Sequence, residues 1–156
     1  MIHLIRLHAS ACVVAACALM TAPAFAQSAA TPAAASASSS LFQTFGGKPG
    51  LVTLMDDFMV RLLADPRTGP HFKPADQQRV KEQLVDQFCV AMAGPCVYKG
   101  ADMKAIHSNL DITKGDFNAL VEMLQLAMDG QKIPFTAQNQ LLALLAPLHR
   151  DVITVK

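Results

Sequence analysis

From residue 41 onward, apolar side chains recur every three or four positions, the spacing that places them on one face of an α-helix. No segment shows the alternating pattern of a strand. Gly46-Gly47-Lys48-Pro49 marks a turn with a proline suited to the start of a helix, followed by the stripe Leu51, Leu54, Met55, Phe58, Leu62 and Leu63. Asp65-Pro66 should end this helix, because the residue before a proline avoids helical geometry. Arg67 to Pro74 reads as a connection containing His71 and Phe72. A second stripe, Val80, Leu84, Val85, Phe88, Cys89 and Met92, begins after Asp76 and stops at Gly94-Pro95. Thr113-Lys114-Gly115-Asp116 matches a capping box and leads into Phe117, Leu120, Val121, Leu124, Ala127 and Met128, with Gly130 as a stop. The last stripe runs from about Pro134 through Leu141, Leu142, Leu144, Leu145 and Leu148 to Val152. Pro147 falls inside it, where an interior proline costs roughly 3 kcal/mol, so a kink is expected near Ala143 to Pro147. Four substantial amphipathic helices and a short one make the fold class all-α.

The short helix lies in the stretch from Gly94 to His107. Asp102 is an acceptable N-cap, and Met103, Ile106 and His107 share one face by their spacing, so the imidazole should point where the apolar side chains point, into a buried face. A histidine in that position is either a hydrogen-bonded core residue or a metal ligand, and spacing alone leaves both readings open.

Length changes the picture at the N-terminus. The 156 residues provide one hydrophobic core, and residues 1–26 do not belong to it. Arg6, an apolar run from Ala9 to Met20 and the small-x-small pattern Ala24-Phe25-Ala26 read as a secretory signal peptide cut before Gln27, which would place the protein in the periplasm or outside the cell. An uncleaved anchor is disfavoured by the short apolar run. Lipidation at Cys17, within Val14-Ala15-Ala16-Cys17, is the other alternative, and the only reading that would give a membrane partner. Residues 27–40 are almost entirely Ala, Ser, Thr and Pro, a flexible linker, so the folded domain is assigned to 41–156.

With Arg6 gone from 13 basic residues, the remainder balances its 12 acidic ones, which gives no electrostatic reason to expect nucleic acid as a partner. Of four cysteines, Cys89 and Cys96 remain beyond the leader. An oxidising compartment permits a disulfide, but the geometry joining a helix residue to the following turn is not fixed by sequence. Their spacing does not suit zinc, and no Cys-x-x-Cys-His is present to attach haem covalently.

Taken in order, Phe45-Gly46-Gly47, Asp56-Asp57-Phe58, Arg61-Leu62-Leu63-Ala64-Asp65, Ala93-Gly94-Pro95, Tyr98-Lys99-Gly100, Met103-Lys104, His107 and Leu145-Ala146-Pro147-Leu148 resemble a group 1 truncated haemoglobin over the whole chain from about Leu41. The resemblance implies a shortened globin fold, a two-over-two sandwich of helices B/E and G/H, around non-covalent haem b. On that match His107 corresponds to the proximal histidine, the protein's ligand to the iron. Neutral imidazole suits that role, and a short helix between glycine turns lets the ring approach the metal. Phe72 resembles the phenylalanine that packs on the porphyrin face. Phe58, Val80, Leu84, Phe88, Met103, Ile106 and Phe117 would line the cavity, and Arg79, Lys81 and Lys104 are candidates for propionate contacts. His71 is either a haem-edge group or a solvated loop residue, and His149 reads as a surface residue.

The chain departs from this family on the distal side. Where many members follow the helix B phenylalanine with tyrosine, Met59 follows Phe58, and Val80 and Leu84 occupy helix E positions that are often polar. Dioxygen on iron carries partial negative charge, so missing donors cost it about 1 to 3 kcal/mol. Fast release is expected, which puts nitric oxide dioxygenase chemistry in doubt. Gln87, a helical turn past Leu84, is a candidate replacement donor. The favoured reading is a globin that reversibly binds oxygen, CO or NO. The alternatives are a haem enzyme of dioxygenase or peroxidase type, or an electron carrier with the Met59 thioether as sixth ligand. A redox partner or reductase is a candidate partner, and the electron-carrier reading in particular calls for one.

Overall fold

A computed structural model describes residues 40–155, which are helical and loop throughout with no strand among them. The expectations for 1–26 and for 27–39 fall outside the described residues. A helical turn, α1 at 40–44, leads into α2 (Gly47–Ala64), α3 (Gly69–Phe72), α4 (Gln77–Ala91), α5 (Met103–His107), α6 (Lys114–Gly130) and α7 (Phe135–Leu145). A 3-10 turn over Ala146–Leu148 and the short α8 (His149–Val152) complete the order.

Backbone chemistry explains most boundaries. Gly46 and Gly47 have φ of 78° and 64°, a left-handed conformation that glycine adopts without Cβ strain, and they redirect the chain from α1 into α2. The Asp76 carboxylate accepts the Arg79 backbone N–H at 3.1 Å and starts α4. Asp102 does the same for α5 through Ala105 N–H, also at 3.1 Å. At α6 the expected capping box is complete: Thr113 Oγ1 accepts from Asp116 N–H, and the Asp116 carboxylate accepts from Thr113 N–H. Pro147 produces the expected interruption, with α7 ending two residues earlier and the chain tightening into the 3-10 turn.

One connection is more ordered than its sequence suggests. Within Arg67 to Pro74, the turn of helix α3 forms because Pro70 sits in its first turn, where its missing N–H costs nothing. Thr68, buried ahead of it, donates its hydroxyl to Leu62 O at 2.7 Å and folds the connection back over the end of α2.

The packing is two-over-two. Helix α2 lies beside α4 in one layer, and contacts from α2 to α6 and from α4 to α7 join it to the other. Leu51, Leu54, Met55, Phe58 and Leu62 of α2 meet Val85, Phe88 and Met92 of the α4 region, and Leu124, Met128 and Leu141 from the other layer. Helix α5 stands apart from this core. It has no buried residue, and its main neighbour is α8. The tail closes over the junction after it, with Thr154 and Val155 N–H donating to Ile112 O at 2.9 and 3.0 Å.

Leu51 is fully enclosed, so Leu51→Ala should lower unfolding free energy by about 2–5 kcal/mol in urea titrations, through lost transfer energy and a residual cavity. The Asp116 carboxyl is held below the usual carboxylate range, first by its hydrogen bonds to Thr113 and then by His71. A carboxylate with a lowered folded-state pKa stabilises the fold above its unfolded value, near 3.9, and loses that contribution as pH falls toward the folded value. Asp116→Asn should therefore lower Tm at pH 7, and the gap to wild type should shrink as the pH is taken below about 4.

Candidate functional site

His107 is the last residue of α5 and is half-buried. Its Nδ1 lies 2.7 Å from the Met103 carbonyl oxygen. A carbonyl only accepts, so Nδ1 carries the proton and Nε2 keeps its lone pair at the far end of the ring. An imidazole fixed in this tautomer is a ready metal ligand, and the carbonyl behind it raises its basicity. Met103 is tied in turn to α4, because Gln87 Nε2 donates to its sulfur at 3.4 Å. The expected replacement donor thus points at α5.

The expectation that the α5 face is buried is corrected. Met103 and His107 are only half-buried, and Ile106 is 46% exposed. Five residues cannot enclose their own apolar face, and α5 rests at the rim of the core against α8 and the end of α4.

Other large apolar side chains are also incompletely covered. Phe72 at the end of α3, Leu84 on α4 and Leu120 on α6 pack on the core edge but remain partly exposed, and Val80 and Phe117 are half-buried. By contrast Phe58, Met59 and Phe88 are at most 4% exposed. Phe58 and Phe88 form part of the core itself. On the residues matched to the distal side, Met59, Val80 and Leu84, no side chain offers an N–H or O–H.

The charged candidates divide. Lys81 is bound to Asp56 at 2.6 Å across α2 and α4. Arg79 and Lys104 are exposed and have no ion pair among the described residues. His71 Nε2 lies 3.8 Å from Asp116 Oδ2, linking α3 to the start of α6. His149 is exposed, as expected, with Nδ1 donating to Ala146 O at 2.9 Å. A cleft of about 560 Å³ between α2 and α4, lined by Lys48, Met55, Asp56, Lys81 and Asp86 among others, does not include His107.

Two features of the site escaped the sequence. The disulfide left open there is formed: Cys89 and Cys96 are bridged with their Cα atoms 5.9 Å apart, within the range a bridge requires. The second is the double use of Met103, whose carbonyl lies one turn behind His107. Helical spacing alone contained that signal.

The donor set is selective. No cluster of three or more His, Cys, Asp or Glu side chains among the described residues could hold a bare ion. An imidazole outside any such cluster, as His107 is, fits a metal that brings its remaining ligands with it, as iron does in a porphyrin.

Comparison with known proteins points the same way. The bacterial-like globin family model matches residues 40–154. The group 1 truncated hemoglobin of Mycolicibacterium paratuberculosis is 30% identical over 115 residues, covering 74% of this chain and 85% of that protein. The group 1 truncated hemoglobin of Tetrahymena pyriformis is 22% identical over 113 residues. The crystal structure of truncated hemoglobin from Tetrahymena pyriformis in the Fe(III) form superposes with a TM-score of 0.69, covering 72% of this chain and 97% of that one. The 2/2 hemoglobin of a Synechococcus species gives 0.68 at 23% identity. With its two-over-two helices and these matches, this chain belongs to the bacterial-like globins and, within them, to the group 1 truncated haemoglobins.

Proposed function

We propose that this haem-binding globin takes up a diatomic gas reversibly, with His107 as the haem's protein ligand. The observation that carries this reading is the Nδ1–H bond to Met103 O, which turns the bare Nε2 away from its own helix. Haem, when bound, would supply an iron centre able to take up a small gas. The chain contributes the rest. Met103 orients the imidazole, while Phe72, Val80, Leu84 and Phe117 offer apolar surface to the porphyrin. Arg79 and Lys104 are free to reach carboxylates at its edge.

The distal composition favours uptake over turnover. Met59, Val80 and Leu84 carry no proton to give, so a polarised ligand gains no hydrogen bond there, and a reaction that must steer charge onto a distal oxygen lacks its usual groups. Gln87 is committed to Met103. The physiological gas among oxygen, CO and NO is left to measurement. Return of the iron to its ferrous form calls for a redox partner or reductase. The Cys89–Cys96 bridge suits an oxidising compartment, which supports placement in the periplasm or outside the cell.

Haem-loaded wild type should show distinct ferric, ferrous and carbonyl spectra, and His107→Ala should lose haem or give the spectra of unligated haem. Spectra unchanged by His107→Ala would remove the histidine from the site. Leu84→Gln introduces an amide donor, so it should slow dioxygen release in stopped-flow by roughly 5- to 150-fold, the rate equivalent of a hydrogen bond to a charged group, with a smaller effect on CO.

A further inference from the structure

The segment carrying His107 packs on α8 and is tied to α4 by side chains and by the loop before it. Nothing in α5 is buried, so packing alone holds it weakly. Two ties from α4 reach it or the loop before it. Gln87 donates to the Met103 sulfur at 3.4 Å. The second tie is covalent, from Cys89, which is fully enclosed in the last turn of α4, to Cys96 in the loop. Gly94, between them, must be glycine for this arrangement, since a Cβ there would stand 2.7 Å from Cys89 Sγ and 2.9 Å from Phe42. The bridge spans only seven positions, so it restricts the start of the loop far more than it restricts the unfolded chain as a whole.

We propose that the Cys89–Cys96 pair is a redox-responsive positioning element for His107: oxidised, it fixes the loop that delivers α5, and reduced, it loosens that loop and weakens the histidine's hold on haem. The proposal rests on His107 being the haem ligand. Opening the bridge requires a dithiol reductant. One thiolate of the reductant attacks the sulfur of Cys96, which is only half-buried, and Cys89 leaves as a thiolate and takes a proton from solvent. The second thiol of the reductant then attacks the mixed disulfide. Cys96 is released and protonated, and the reductant closes its own disulfide. Two electrons pass from reductant to protein, and an oxidoreductase in its disulfide form reverses the exchange.

Haem-loaded protein tests this in three states: oxidised, treated with dithiothreitol, and as the Cys89→Ala/Cys96→Ala variant. Haem transfer to an excess of apo acceptor globin should be roughly tenfold faster for reduced wild type and for the double variant than for the oxidised protein. Dithiothreitol should not alter the double variant. Hydrogen exchange should rise across 93–110 and stay constant in α6 and α7. Equal transfer rates in oxidised and reduced wild type would overturn the proposal, as would a dithiothreitol effect that persists without the cysteines, or exchange that rises throughout the fold. Failure of oxidised wild type to hold haem through His107 would instead sink the function on which this inference stands.

Discussion

The proposed function depends on one interaction, the hydrogen bond from His107 Nδ1 to the Met103 carbonyl. Without it, the imidazole has two accessible tautomers and a free rotor. With it, one nitrogen is a committed donor and the other a lone pair of fixed direction. The bond closes within a single helical turn, so the five residues of α5 suffice to orient the ring. A helix that short has little packing energy of its own, and its position is set by neighbours: Gln87 and Cys89 from α4, α8 beside it, and the tail residues that bond Ile112 just beyond it.

The same division runs through the whole molecule. Helices α2, α4, α6 and α7 bury their large apolar side chains in one another and form a rigid two-over-two frame. Phe72, Leu84 and Leu120 lie at the edge of that frame, incompletely covered by protein. Burial of apolar surface is the main force available to a chain of this size, so such side chains mark where the fold expects another apolar body. A porphyrin supplies flat apolar area as well as iron, and holding it satisfies both the rim and the histidine.

Much of this was legible in the sequence because helices announce themselves by period and by caps. Asp76, Asp102 and the Thr113–Asp116 box start helices where their side chains can accept backbone N–H groups, and Pro147 breaks one where its own N–H is missing. The turn at Gly69–Phe72 was harder to see, since four residues give no period. Lys81 shows a different limit. A long flexible cation has many possible partners, and only the fold brings Asp56 within its reach. Burial on α5 was misjudged for a related reason: periodicity says which side chains share a face, not what that face meets. The Cys89–Cys96 bridge likewise depended on how the chain turns at Ala93 and Gly94, where Ala93 takes a φ of 53° that sequence does not reveal.

Met59 on α2 and Val80 and Leu84 on α4 carry no N–H or O–H, and the two helices that hold them pack side by side. On the proposed reading His107 holds the haem and these side chains tune what binds to it. A crystal structure of the haem-loaded protein tests the proximal half most directly. The expected result is His107 Nε2 bonded to iron with Nδ1 still on the Met103 carbonyl. An iron bonded to a different side chain, or a His107 ring turned to bulk solvent, would contradict it.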